Sequence, residues 1–151
     1  MPDITLDALK SDYAALGARI TAYEAALPRI LNVAAVAIEL LAGEHYAGAV
    51  LNADGTVKHH LVLMAAKPDD TITWQAAKDW AISAGGVLPD RQEAALIYAN
   101  CKPHVDGVWH WTSAQHTNES DAWVCDFSYG FQGHVHKGND DAARAVRRVN
   151  P

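Results

Sequence analysis

Cysteine is nearly absent from this chain. Two residues, Cys101 and Cys125, among 151 cannot make a disulfide framework, and both are expected to be reduced and buried. Positive charge is also scarce: 12 Lys and Arg stand against 18 Asp and Glu, for a formal charge of −6. Neutralising phosphates takes clustered cations, so a general nucleic-acid binder is excluded as an expectation. The one basic cluster, Arg144, Arg147 and Arg148, falls at the end of the chain and reads as strand residues with packed stems and solvated heads. No charge-free apolar run reaches about 18 residues, so no membrane insertion is expected. The opening residues are polar and acidic, unlike a secretory leader, and the chain is expected to be a complete product made in a cytosol. Also missing are G-x-S-x-G, H-E-x-x-H and P-loop motifs, so the expectation is a protein that is not an enzyme and carries no cofactor.

What is present begins with a heptad. Leu6, Leu9, Tyr13, Leu16, Ile20, Tyr23 and Leu27 recur at alternating spacings of three and four, with Leu6, Tyr13, Ile20 and Leu27 at a and Leu9, Leu16 and Tyr23 at d. Asp3 or Thr5 can cap this helix and Pro28 ends its register. Arg19 at g and Glu24 at the following e make an opposite-charge pair across a parallel interface. Such a stripe can fold onto the chain's own domain or associate with other copies. Its narrowness favours self-association, and tyrosines at a and d suit a roomier core, so a homo-oligomer, a trimer, is expected. Residues 1–28 are therefore read as an oligomerisation segment and 29–151 as a second domain.

Residues 29–42 are apolar without a clean period and fit a buried helix or an extended strand equally. Ala47–Leu51 and Thr56–Met64, joined through Asp54-Gly55, predict a β-hairpin. Thr73 can cap a helix over Trp74–Ser83, with Trp74, Ala77 and Ala81 on its inner face and Gly85-Gly86 as its stop. A second helix lies within Leu88–Lys102, where Asp90 and Glu93 have the spacing of a capping box and Pro103 prevents extension. Beyond it come aromatic strands at Trp109–Ser113 and Ala122–Tyr129, an aromatic turn at 128–133, loops at 114–121 and 134–141, and a closing strand at Ala142–Val149. Trp109, Trp111, Trp123 and Phe127 are expected mainly in the core, because large rings on neighbouring strands want partners. Strands, two helices and more strands predict the α+β class.

Four blocks in this order, Leu88-Pro-Asp-Arg-Gln-Glu-Ala, Trp109-His-Trp-Thr-Ser, Ala122-Trp-Val-Cys-Asp-Phe-Ser-Tyr-Gly and Ala143-Arg-Ala-Val-Arg-Arg-Val, resemble the Lcl C-terminal domain family of phages and bacteria. The resemblance spans about residues 43–149 and leaves the heptad outside. It implies a C-type-lectin-like scaffold, similar to that of formylglycine-generating enzymes, whose late loops can display ligand-binding residues. It implies no catalytic residue. Cys101 and Cys125 lack the flanking pattern that would liken them to the active cysteines of those enzymes.

His134-Val135-His136 would put two imidazoles on one face of an extended chain, and His59, His60 and His116 add more. No carboxylate or cysteine stands at ligand spacing to them, so no metal site is expected. Asp69-Asp70 and Asp140-Asp141 are read as solvated pairs rather than calcium ligands. Tyr129 and Phe131 stand in a turn, where rings either fold back into the core or face a partner. Ligand contact is therefore expected from the late loops, through Gln115, His116, Asn118, Tyr129, Gln132, His134 and His136, which supply donors, acceptors and ring faces. The function these features predict is non-enzymatic: a phage structural or attachment protein, such as a tail-fibre, receptor-binding or particle-decoration subunit. Its partners would be other virion proteins and a host surface glycan or protein, and its place the virion. The alternatives are a cytoplasmic protein that binds a host factor and, further off, an enzyme related to the formylglycine generators.

Overall fold

The computed structural model describes residues 4–28 and 35–151. Asp3, one of the two expected caps, and residues 29–34 of the apolar run lie outside the described residues. Among the described residues the chain forms three α-helices, a short 3₁₀ turn and six strands, which makes it α+β. It divides into two compact units, Met1–Asn32 and Val33–Pro151.

In the first unit, helix α1 (Leu6–Ala26) starts at Thr5, whose hydroxyl accepts the Ala8 N–H at 3.2 Å. It ends where Leu27 turns extended before Pro28, since the proline ring disfavours the helical conformation in the residue preceding it. All seven heptad residues are exposed, by 49–80 %. Among the described residues no helix is long and apolar enough to cross a membrane.

In the second unit, β1 (His45–Leu51) and β2 (Val57–Leu63) form the expected hairpin, with Gly55 in the left-handed region at φ 87°. Strand β6 (Val146–Val149) adds to β2, giving an antiparallel sheet of order β1-β2-β6. Strands β3 (Trp109–Gln115), β4 (Asp121–Asp126) and β5 (Gln132–His136) make a second antiparallel sheet in that order. Residues 35–42, read as helix or strand, adopt neither. They are tied down by Glu44, which accepts the Leu41 N–H at 2.8 Å, and by Arg147, which donates to the Glu39 carbonyl at 2.6 Å.

Helix α2 (Trp74–Ser83) buries Trp74, Ala77 and Ala81, the face its spacing predicts, although Thr73 makes no side-chain cap bond. These residues pack with Trp111, Ala122 and Val124 of the second sheet. Helix α3 (Arg91–Cys101) opens with the predicted capping box on Asp90 and Glu93, three residues later than the Leu88 start of its segment. Its Ala94, Ile97 and Cys101 pack with Cys125, Phe127 and, from the first sheet, Ala47, Leu61 and Leu63. Val124 and Cys125 are neighbours on β4, so their side chains point to opposite faces. The second sheet is therefore covered on both faces, by α2 on one and α3 on the other.

That sandwich corrects the reading of Trp109-His110-Trp111. Alternation points both indoles to one face, and the expectation is that this face is inward. Instead His110 is buried against Phe127, with ring centroids 4.8 Å apart, and Trp109 remains 40 % exposed at the end of the strand. With helices on both faces, alternation separates two interiors rather than inside from outside. Burial holds the His110 imidazole below its ordinary pKa. Trp123, also expected in the core, is half-buried beneath Arg91.

Further corrections concern the late segments. Residues 132–136, read as turn and loop, form strand β5, paired with β4 throughout. The closing strand is shorter than 142–149, because Ala143 and Ala145 leave the ladder to pack beneath α2. The terminal arginines are not simply solvated. Arg147 pairs with buried Glu44 at 2.6 Å, and Arg148 grips Glu93 through two bonds of 2.7 and 2.9 Å. Arg144 donates to the carbonyls of His104 and Met64 at 2.6 and 2.8 Å.

Glu93 serves two structures at once. One carboxylate oxygen accepts the Asp90 N–H at 2.8 Å, closing the capping box, and the other accepts from His59 Nε2 at 2.8 Å. Burial pushes its pKa up, but Arg148, the Asp90 N–H and His59 together outweigh burial and hold it below 4.5.

Candidate functional site

The residues expected to meet a ligand are set by the β3–β4 connection and by the edge strand β5. The connection at residues 116–120 is built on Gln115. Its amide donates to the carbonyls of His116 and Asp121 at 2.9 Å, and of Asn118 and Glu119 at 3.3 Å. Asn118 accepts the Ser120 hydroxyl at 2.9 Å and offers its own N–H to His116 Nδ1 at 3.0 Å. Lys137, just past β5, fastens the loop from below through the Glu119 carbonyl at 2.6 Å and the Ser120 carbonyl at 2.9 Å. A five-residue stretch that would otherwise sample many conformations is thus held by side-chain hydrogen bonds from within it and from its two flanks.

This scaffold brings His116 over His134, with rings 13° from parallel and centroids 3.8 Å apart. His134 lies opposite Trp123 in the β4–β5 ladder, so Asp121, two residues earlier on β4, shares its face. His134 Nδ1 bonds Asp121 Oδ2 at 2.9 Å. That bond is the main reason the Asp121 carboxyl lies below the ordinary aspartate range. One ligand atom from each of His116, Asp121 and His134 lies within 4.8 Å of the others.

Trp123 forms the wall beside them. Its ring stands edge-to-face with His116 at 5.1 Å and with His134 at 5.9 Å. The Arg91 guanidinium covers it at 3.5 Å, and Gln132 fixes Arg91 by accepting from its Nε at 2.8 Å and donating to its carbonyl at 2.6 Å. A cation over an indole is attracted by the ring's negative face, so Arg91 is positioned by Trp123 as well as by Gln132.

The seven expected residues therefore divide. Gln115, His116, Asn118 and His134 come together, and Gln132 joins them through Arg91 and Trp123. His136 accepts the Gly138 N–H at 3.0 Å in the following turn and is not among the clustered groups. Tyr129 is 72 % exposed beside Phe131, 65 % exposed, with centroids 6.2 Å apart. The turn that presents them rests on Gly130, at φ 80°, where an added Cβ would come within 2.7 Å of the Tyr98 ring. Both rings thus face outward rather than folding into the core.

Sequence reasoning missed Asp121, Trp123 and Arg91. Asp121 and His134 are thirteen residues apart, and their proximity is visible only once β4 and β5 are paired. Arg91 has no role of its own in the sequence beyond its place in the Leu88–Lys102 segment. No family model matches this sequence, and no curated protein matches it. The likeness to the Lcl C-terminal domain family thus rests on the four blocks that carry it.

Proposed function

We propose that the protein is a non-enzymatic, oligomeric display protein. Helix α1 self-associates as a parallel coiled coil, and the α+β unit, a C-type-lectin-like scaffold of the Lcl C-terminal type, offers the His116–His134–Trp123 surface to a ligand. The observation that carries the proposal is the α1 seam: six apolar residues at heptad spacing, every one exposed, while the seventh, Leu27, lies just past the helix in extended backbone. Most helical stability in proteins comes from packing of an apolar face, and an apolar stripe gains that stability only when something covers it. The occupant we assign is further copies of the same chain, because the stripe is narrow and Arg19 at g faces Glu24 at e of a parallel neighbour. Copies held together multiply weak contacts through effective concentration. That need is met in a phage attachment, tail-fibre or particle-decoration subunit assembled into the virion, with a host surface glycan or protein as the ligand.

Light scattering on the full chain tests the oligomer. A mass of three chains is expected, falling to one in a Leu16→Asp, Ile20→Asp variant whose second unit keeps its melting temperature. A wild type that is already monomeric overturns the reading. Binding is tested with a glycan array and host cells: His116→Ala with Gln132→Ala should abolish attachment without unfolding the domain.

A further inference from the structure

We propose that His116, Asp121 and His134 bind a borderline divalent transition-metal ion of the zinc class. Three arguments carry this. The first is distance. An ion bonded to nitrogen and oxygen at about 2.0–2.1 Å holds neighbouring ligands about 3 Å apart. His134 Nδ1 and Asp121 Oδ2 already stand 2.9 Å apart, and a His116 nitrogen completes a set within 4.8 Å. The ion takes the place of the proton between these two atoms, and the neutral ring carries its one N–H on Nε2 instead.

The second argument is preorganisation. Asp121 and His134 sit on paired strands, and His116 sits at the start of a loop stapled by Gln115 and Lys137. Asn118 Nδ2 donates to Asp121 Oδ2 at 3.3 Å and the Trp123 ring stands against both imidazoles, so the ligands have an outer layer of support. One adjustment is required. Lone pairs lie in the ring planes, so two rings stacked at 13° cannot converge on one ion until His116 tilts and releases the Asn118 N–H. His116 is half-buried rather than enclosed, which leaves room for that tilt.

The third argument is chemistry. Two imidazole nitrogens and one carboxylate oxygen select zinc, cobalt, nickel or copper over calcium and magnesium, which prefer oxygen alone. Three protein ligands leave at least one position for water or for an oxygen of an incoming ligand. The site stands whether or not the chain oligomerises.

Calorimetric titration of the tag-free full chain with zinc chloride, and with cobalt chloride followed by visible absorption, tests the proposal. One Zn²⁺ per chain is expected, with no heat from Ca²⁺. Asp121→Asn and His134→Ala should each weaken zinc at least about tenfold, and His116→Gln should remove the cobalt absorption band. His136→Ala should bind as the wild type does. So should a His45→Ala, His104→Ala variant, which removes the other stacked imidazole pair, at 3.4 Å. Absence of zinc uptake by the wild type overturns the site, as does wild-type affinity in the folded Asp121 and His134 variants. Loss of zinc in either control variant would place the ion elsewhere and overturn it equally.

Discussion

Replacing Arg148 with alanine strands a carboxylate. Glu93 is fully buried and Arg148 is 41 % exposed on its side chain, so the partner left behind is the one that water cannot reach. Breaking a buried pair by removing one member costs about 3–5 kcal/mol. His59 at 2.8 Å and the Asp90 N–H at 2.8 Å remain on the carboxylate, which places the expected loss near the lower end, about 3 kcal/mol. At about 4 °C per kcal/mol for a domain of roughly this size, that is a fall of about 10 °C in melting temperature.

The pH dependence carries a sign that a simple packing loss would not. In the wild type, Glu93 has a folded pKa below its ordinary 4.5, so its contribution is complete above that value and is lost as pH falls through the lower folded pKa. In Arg148→Ala the largest remaining influence is burial, which raises the pKa. The variant's penalty is then relieved as pH falls and Glu93 takes up a proton. The difference between the two proteins should therefore be largest at neutral pH and shrink towards about pH 4. Urea unfolding at both pH values measures it, since the titration of other carboxylates cancels in the difference. A loss below about 1 kcal/mol at neutral pH, or one that does not shrink in acid, would refute the argument that Arg148 compensates a buried charge.

The two β3 indoles should behave differently. Trp111 is fully buried and donates to the Ile72 carbonyl at 2.7 Å, so Trp111→Ala should cost about 3–5 kcal/mol by chemical denaturation. Trp109→Ala should cost no more than half as much, and equal losses would return Trp109 to the core. The thiols should be inert in the native protein: burial pushes Cys125 up to about 11 and raises Cys101 as well, so an aromatic disulfide reagent at mildly alkaline pH should react only after denaturant is added. Rapid reaction of either thiol in the folded chain would contradict its burial.

Much of this protein was legible where the signal is local. The faces of α2, the Asp90–Glu93 capping box, the Asp54-Gly55 hairpin turn and the heptad of α1 each depend on residues within a turn or two of one another. Local spacing dictates them whatever the rest of the chain does. The α+β class followed from their order. Strand β5 was not legible, because Gln-Gly-His-Val-His has weak strand preference and becomes a strand through its pairing with β4.

The candidate site belongs with β5. Its residues were recognisable one by one as donors, acceptors and rings, yet which of them meet is a property of strand register. A shift of one residue between β4 and β5 would turn His134 away from Asp121 and Trp123. Glu93 shows the same division within a single side chain. Its sequence neighbours made it a helix cap. That it also receives His59 and Arg148, 34 and 55 residues away, and so becomes a buried charge, was decided by the packing of α3 beneath the first sheet.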